Sequence, residues 1–129
     1  MATAKTSKTA IVDIQAIVNA SAQVQALKEE QATKVKDLNI WLQNVQKEIK
    51  AQTDKEKQQL LIRQYNAELT QRRVQIAENY QTKLKTIGDN ITKTITKEAK
   101  KKGYELVLAK NIVIYGGVDI TKDIAKIIK

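Results

Sequence analysis

Residues 21–102 contain no proline and a single glycine, Gly88. Because proline and glycine are the residues that most often interrupt helices, this segment predicts long helices. The chain also has no cysteine and no histidine. Thiol nucleophiles, histidine bases, disulfides and the common zinc sites are therefore excluded. Carboxylates and lysines remain for acid–base chemistry, but no spacing supports a pocket, so we expect no enzyme, no cofactor and no metal.

The first part of this segment carries an apolar stripe. Asn19 or Ser21 can cap a helix, and the steps of three and four that follow indicate a coiled-coil seam. A seam of this kind requires a partner helix. Its members are Val24, Leu27, Val35, Leu38, Leu42, Val45 and Ile49.

The apolar pattern falters at residues 51–54. Thr53 and Glu56 have the spacing of a capping box, in which the Thr53 hydroxyl accepts from the backbone N–H of Glu56. We therefore predict a hairpin tip near 52–55, where a second long helix begins. The alternative is one continuous helix, which would need partners in other subunits along both of its apolar stripes.

The second helix is predicted to end just before Gly103 and to be longer than the first. If the two helices are antiparallel, the extra length at the end of the second helix extends beyond the start of the first helix. Residues 83–102 are therefore expected to return into the part of the fold that contains the N-terminal strand.

Both ends of the chain carry β-prone sequence. Residues 9–14 form a short apolar run that predicts a strand, followed by a brief helical turn. Residues 104–109 and 111–115 predict two further strands, joined as a hairpin. Asp119 is placed to cap a short closing helix.

These elements predict a mainly α protein with a small β head, of the α+β class. A long antiparallel helical hairpin, residues 21–102, projects as an arm from a head made of residues 9–20 and 103–129. Because the head is close to the ~40-residue size below which a lone domain seldom holds, we expect it to be an oligomerisation body. The head residues assigned to this role are Ile11, Val12, Leu106, Leu108, Ile112, Ile114 and Ile124.

Positive charge is concentrated in one segment. The formal net charge is +9, and residues 83–102, with seven lysines and two carboxylates, supply +5 of it. Four of these lysines lie too far from the helix end to serve only its dipole. We predict that they attract an acidic polypeptide or an anionic lipid or membrane surface, with a solvated helix end as the alternative. They are Lys83, Lys85, Lys93 and Lys97.

Residues 40–42 and 60–62 are each three apolar residues in a row. Such a run spreads over about 200° of a helix, so one seam cannot bury it. We predict that the surplus side chains give adaptable apolar contact to a binding partner, with packing inside the arm or against another subunit as an equal alternative. These surplus side chains are Ile40, Trp41, Leu60 and Ile62.

The most specific motifs lie at the two ends of the chain, at residues 11–21 (IVDIQAIVNAS), 104–109, 112–115 and 118–124. They resemble the N-terminal motif, the paired strands and the terminal helix of the OmpH-like, or Skp, family of periplasmic chaperones. The resemblance covers nearly the whole chain, although the arms match only in composition and period. It implies a homotrimer whose β-rich body carries three helical arms around a cavity, and it implies no use of ATP.

We therefore predict an ATP-independent holdase that binds unfolded outer-membrane β-barrel proteins and prevents their aggregation. The four surplus apolar residues would then be client-binding residues, and the four lysines would bind acidic clients or anionic lipid. The alternative is a basic coiled-coil protein that binds nucleic acid or acts as a scaffold. Arg72 and Arg73 lack interleaved aromatic residues, so no specific nucleic-acid partner is expected. A prefoldin-like chaperone is disfavoured because its strands would lie between the long helices.

No run of 18 apolar residues predicts a membrane span. The resemblance implies a periplasmic protein, whereas residues 1–8 contain no apolar core of a secretion signal. A periplasmic location therefore requires that a signal has been removed, and a cytoplasmic location is expected if Met1 is native.

Overall fold

The computed structural model describes residues 8–129, which form four α-helices and three strands. The mainly α class with a small β part is confirmed. In chain order the elements are β1 (Thr9–Val12), α1 (Ile14–Ala20), α2 (Ala22–Ala51), α3 (Lys55–Lys101), β2 (Leu106–Ala109), β3 (Val118–Asp119) and α4 (Thr121–Ile127).

The described chain divides into two compact units. We call Leu27–Lys83 the hairpin unit, because it contains most of α2, the connection after it and the first part of α3. The sheet unit comprises the described residues up to Ala26 together with Leu84–Lys129.

The sheet is entirely parallel, with the strand order β2-β1-β3. Thr9 lies opposite Leu106 in the first pair of strands, and Ala10 lies opposite Val118 in the second. The predicted hairpin of strands 104–109 and 111–115 is therefore wrong. Lys110–Ile112 instead forms a turn of 3-10 helix, and the chain continues to β3 on the far side of β1. A run of β-prone residues shows that a strand can form but not which strand it will pair with.

The core of the sheet unit lies against the central strand. Ala10 and Val12 are buried on one side of β1, as a period of two requires. Ile91, Ile95 and Ala99 reach the same core from α3, because a spacing of four keeps them on one helical face. The last turns of α3 thus pack in the core that contains β1. The other buried members are Ile17, Val24, Ile120 and Ile124.

A buried serine fixes the start of α2. The Ser21 hydroxyl accepts from the backbone N–H of Val24 at 3.3 Å and donates to the backbone oxygen of Lys129 at 2.6 Å. Ser21 is therefore the capping residue, rather than the alternative Asn19, and it also holds the end of the chain. At the start of α4 the predicted Asp119 cap is wrong, because the capping residue is Ile120 and no side chain caps the helix. The Asp119 carboxylate instead accepts from the N–H and the hydroxyl of Thr121, the first residue of α4.

The helix break after α2 has a different cap from the predicted one. The Asp54 carboxylate accepts from the backbone N–H groups of Glu56 at 3.0 Å and Lys57 at 3.2 Å. The predicted capping box is therefore wrong, because an ionised carboxylate binds the positive end of a helix more strongly than the Thr53 hydroxyl does. Since α2 ends and α3 begins on either side of residues 52–54, the alternative of one continuous helix is also wrong.

Candidate functional site

Side-chain contacts join α2 to α3 in the hairpin unit. Near the connection, Nε2 of Gln58 donates to the backbone oxygen of Ile49 at 2.9 Å. Further along, Nζ of Lys83 binds Oε1 of Glu30 at 2.5 Å. The contact farther along α3 is made with a residue nearer the start of α2. The two helices are therefore antiparallel, as predicted.

Each helix has a central line of residues, spaced by seven, that faces its partner. Leu38 and Val45 belong to this line on α2, and Tyr65 and Arg72 belong to it on α3; all four are buried or half-buried. Each residue turns the helix by about 100°. A residue three positions after a central-line residue in the sequence therefore lies on one side of the line, and a residue four positions after it lies on the other side. In an antiparallel pair, equivalent positions of the two helices lie on the same side. The hairpin unit therefore has two distinct faces.

The side that carries the positions three after the central line is the charged face. On it, Glu30 binds Lys34 at 3.2 Å, and Arg72 binds Glu68 at 3.0 Å. Glu30 also binds Lys83, which lies seven positions after Ile76 on the line of the opposite side. Hydrogen bonds from Lys83, and then from Lys34, lower the pKa of Glu30. A cleft of about 420 Å³ opens on this face. It is lined by Lys34, Asp37, Leu38, Arg72, Gln75, Ile76 and Asn79.

Trp41 also lies on the charged face, inside a cluster of polar and aromatic side chains. Its ring centroid is 5.9 Å from that of Tyr65, with an interplanar angle of 76°, and the guanidinium carbon of Arg72 lies 4.4 Å from it. The Tyr65 hydroxyl donates to Glu48, and this bond raises the pKa of Tyr65. Trp41 is thus half-buried by packing between α2 and α3, which is one of the two alternatives that its sequence context left open.

The opposite side is the apolar face. It consists of residues four positions after the central line, namely Val35, Leu42 and Ile49 on α2 and Ile62 and Leu69 on α3. Val35 and Ile62 are 44% and 39% exposed, and the other three are half-buried. Ile76 continues the spacing but lines the cleft.

The four apolar residues predicted to bind a client do not share a face. Ile40 and Leu60 point away from the partner helix and are 47% and 53% exposed. Trp41 lies on the charged face and Ile62 on the apolar face. Val35 lies on a flank rather than in the single predicted seam, because that seam combines the central line with one of its flanks. The spacing of seven from Val35 to Leu42 and Ile49 is the sequence signal that distinguishes this flank from the central line.

The four predicted basic residues are also divided. Lys83 belongs to the hairpin unit and is paired with a carboxylate, and Lys85 binds Asp89 at 3.1 Å. Lys93 and Lys97, in the sheet unit, form no ion pair within residues 8–129. They lie on the exposed side of α3. Of the four, these two have charges that are not matched by a carboxylate of the described chain.

The predicted oligomerisation residues fall into two groups. Val12 and Ile124 are at most 2% exposed and belong to the core of their own chain. Ile112 and Ile114 are 68% and 103% exposed, and Tyr115, which was not in the predicted set, is 96% exposed. Apolar side chains this exposed and this close together are typical of interaction surfaces. Of the others, Leu106 is exposed, and Ile11 and Leu108 are half-buried.

Within the described residues, no cluster of three or more acidic, cysteine or histidine side chains could hold a metal ion. None of the helices in this part of the chain is long and apolar enough to cross a membrane. The arrangement offers surfaces for binding rather than a pocket with convergent reactive groups.

The sequence profile of one protein family matches the chain over residues 8–128, which is nearly all of it. The family is described as "Outer membrane protein (OmpH-like)". No individual curated protein shows a significant match. The match includes both the sheet unit and the hairpin unit.

Proposed function

Since the chain belongs to the OmpH-like family of outer membrane proteins, we propose that it is an ATP-independent holdase chaperone. It binds unfolded outer-membrane β-barrel proteins and prevents their aggregation until they reach the membrane. This function requires neither ATP nor a cofactor, and it places the protein in the periplasm.

The observation that carries the proposal is the apolar surface that the hairpin unit leaves exposed. Val35, Ile40, Leu60, Ile62 and Val74 are each between 39% and 53% exposed. Exposed apolar side chains in this number on one helical hairpin are typical of a binding surface. Because they lie on helices rather than in a closed pocket, they suit a client that has no fixed shape.

The proposed assembly is a homotrimer whose hairpins enclose a cavity for the client. The sheet unit supports this proposal because Ile112, Ile114 and Tyr115 are 68%, 103% and 96% exposed in one short segment. A second or third copy of the chain would remove this apolar surface from water. The small size of the sheet gives a further reason to associate.

Positive charge gives the proposed chaperone a second kind of attraction. Lys93 and Lys97 have no carboxylate partner in the described chain, so they can attract an acidic client or an anionic lipid surface. This attraction acts at long range and weakens as salt is added, with a Debye length of about 10 Å at 0.1 M.

The test is a dilution of an outer-membrane β-barrel protein from urea, with aggregation followed by light scattering. We expect stoichiometric chaperone to suppress the scattering, while an equal mass of a folded, non-binding protein leaves it unchanged. Unchanged aggregation kinetics would refute the proposal. Tight duplex binding with a steep salt dependence would instead support the basic coiled-coil nucleic-acid-binding protein that the net charge also suits.

A further inference from the structure

We infer that a clasp made by Lys110, Asp119 and Thr121 controls how readily the chain assembles, because it fixes the loop that carries the most exposed apolar side chains. The loop comprises residues 110–117, which connect β2 to β3, and we call it the crossover loop. This inference rests on the proposed homotrimer and concerns the regulation of that assembly by three polar residues.

The crossover loop runs across one face of the sheet. β2 and β3 are both parallel to β1 and lie on opposite sides of it, so the connection between them has to pass over the central strand. Gly117 shows which face it crosses, because a Cβ there would lie 2.9 Å from Cγ2 of Ile11. Side chains alternate along a strand, and Ala10 and Val12 are buried in the core. The loop therefore lies on the face of the sheet opposite the core.

The side chains that the loop presents to solvent are apolar. Ile112, Ile114 and Tyr115 are the three most exposed large apolar side chains within residues 8–129. Inside the loop, the backbone N–H of Val113 donates to the backbone oxygen of Lys110 at 3.2 Å and closes the 3-10 turn. Side chains this exposed do little to fix the loop, so its path depends on what holds its two ends.

The clasp joins the two ends of the loop. Nζ of Lys110, the first residue of the loop, lies 3.5 Å from Oδ2 of Asp119, the second residue after the loop. Oδ1 of Asp119 accepts from the backbone N–H of Thr121 at 2.9 Å and from its hydroxyl. The Thr121 hydroxyl in turn accepts from the backbone N–H of Asp13 at 2.8 Å. The ends of the loop are thus joined to each other and, through Thr121, to the residue that follows β1.

The charge of Asp119 is stabilised within the clasp. Hydrogen bonds from the hydroxyl of Thr121, and then from its backbone N–H, lower the pKa of Asp119. The carboxylate is therefore ionised at neutral pH and can pair with Lys110. The two side chains of this ion pair are 57% and 41% exposed, so its contribution is modest. A homotrimer contains three such clasps, so the effect of each one enters the assembly equilibrium three times.

A clasped loop favours assembly because it is already ordered. Association opposes itself by the conformational freedom that a contact segment loses, and a segment held in its bound path loses less. Without the ion pair, a loop that contains Gly116 and Gly117 can sample other paths, and ordering it on association would then weaken the trimer. Lys110 is exposed and is not part of the core cluster, so removal of its charge leaves the core of the sheet unit unchanged.

The test measures the trimer–monomer equilibrium of the full chain by sedimentation over a dilution series. We expect Lys110→Gln to weaken assembly about threefold per copy, and therefore to lower the trimer association constant about thirtyfold. Lys110→Arg keeps the positive charge and should stay within about threefold of the wild type. Equal association constants for Lys110→Gln and the wild type would overturn the inference.

The matched control is Lys122→Gln. Lys122 is exposed in the same unit and forms no ion pair within residues 8–129, so the variant loses the same charge and leaves the clasp intact. Its trimer association constant should stay within about threefold of the wild type. A loss as large as that in Lys110→Gln would show that net charge, and not the clasp, sets the equilibrium, and would overturn the inference.

Salt gives a second readout that a merely structural role of Lys110 would not move. An exposed ion pair is screened at about 1 M salt, where the Debye length is about 3 Å. We therefore expect the roughly thirtyfold difference between the wild type and Lys110→Gln to fall below about threefold in 1 M sodium chloride. A difference that does not change with salt would overturn the role of the ion pair.

Further outcomes separate this inference from the proposed function. If the wild type stays monomeric over the whole dilution series, the proposed homotrimer is refuted, and the inference with it. If the wild type assembles but does not suppress client aggregation, only the holdase function is refuted. Lys110→Gln should keep the helical circular dichroism of the wild type at an equal assembled fraction. A weaker signal would show that Lys110 serves the fold rather than the loop, and would overturn the inference.

Discussion

The guanidinium group of Arg72 lies over the ring of Trp41, with 4.4 Å between its carbon and the ring centroid. The same group binds Oε1 of Glu68 through Nε at 3.3 Å and Nη2 at 3.0 Å. Arg72 stands on the central line of α3, where a regular coiled coil would have an apolar residue. Stacking on the indole and pairing with a carboxylate let a charged side chain occupy this position and join α3 to α2.

Arg72→Gln should therefore destabilise the hairpin unit. Loss of the cation–π contact and the partly exposed ion pair is expected to lower the free energy of unfolding by about 1 kcal/mol. Trp41 is the only tryptophan, so its fluorescence reports urea unfolding of this region directly. Arg73→Gln is the control, because Arg73 is exposed and unpaired in the described chain, and it should change stability by less than about 0.5 kcal/mol. Equal losses in both variants would contradict the role of the Arg72–Trp41 contact.

Gly117 should tolerate alanine less well than its neighbour Gly116. Both have positive φ, +83° and +94°, so either substitution strains the backbone by about 1–2 kcal/mol. A Cβ at Gly117 would also lie 2.9 Å from Cγ2 of Ile11 in the central strand, whereas nothing lies within 4 Å of one at Gly116. We expect Gly117→Ala to cost at least about 1 kcal/mol more in thermal or urea unfolding. Equal costs would show that the close approach to β1 has no energetic consequence.

The Glu30 ion pairs predict a loss of stability in acid. Because Lys83, and then Lys34, lower the folded-state pKa of Glu30, the stabilisation is present above the unfolded pKa and is lost as the pH falls through the folded pKa. The loss therefore begins below about pH 5, near the ordinary range of a glutamate. Lys83→Gln should raise the pKa of Glu30 in an NMR titration and flatten this part of the stability profile. An unchanged Glu30 titration in the variant would contradict the assignment.

The exposed apolar segment after the 3-10 turn should control the proposed oligomer. Ile114→Ser removes an apolar side chain that is 103% exposed and so makes little contact within its own chain. We expect the mass in sedimentation to fall from that of a trimer toward that of a monomer, with the helical circular dichroism largely retained. Ile127→Ser, at a position that is 47% exposed in the same unit, should leave the mass unchanged. A trimer that persists in Ile114→Ser would exclude this segment as a main contact.

The local elements of the fold were largely predictable. The two long helices, the break between them and the capping position of Ser21 depend on residues a few positions apart. The Asp54 cap was missed by one residue, because Thr53, Asp54 and Glu56 offer competing caps within a single turn. A choice between neighbouring acceptors depends on the exact path of the backbone.

The candidate site was less predictable. The sequence showed that the hairpin has more apolar residues than one seam can bury, but it did not show how they are distributed. Val35 and Leu38 are both compatible with a seam, and the register with α3 decides that Leu38 faces the partner while Val35 lies at the flank. The sequence is equally compatible with an exposed Trp41, and only the structure shows that Arg72 and Tyr65 pack against it.

The sequence by itself determined the class of the protein, the helical segments and the absence of histidine and cysteine chemistry, because these depend on composition and on short periodicities. Only the tertiary structure decided that β1 pairs with both later strands in parallel and that the hairpin unit has one charged and one apolar face. The pairing of Thr9 with Leu106 joins the two ends of the chain, and no local preference specifies it. The faces likewise depend on which of two apolar residues a few positions apart, such as Val35 and Leu38, turns toward the other helix. Packing between the helices decides this.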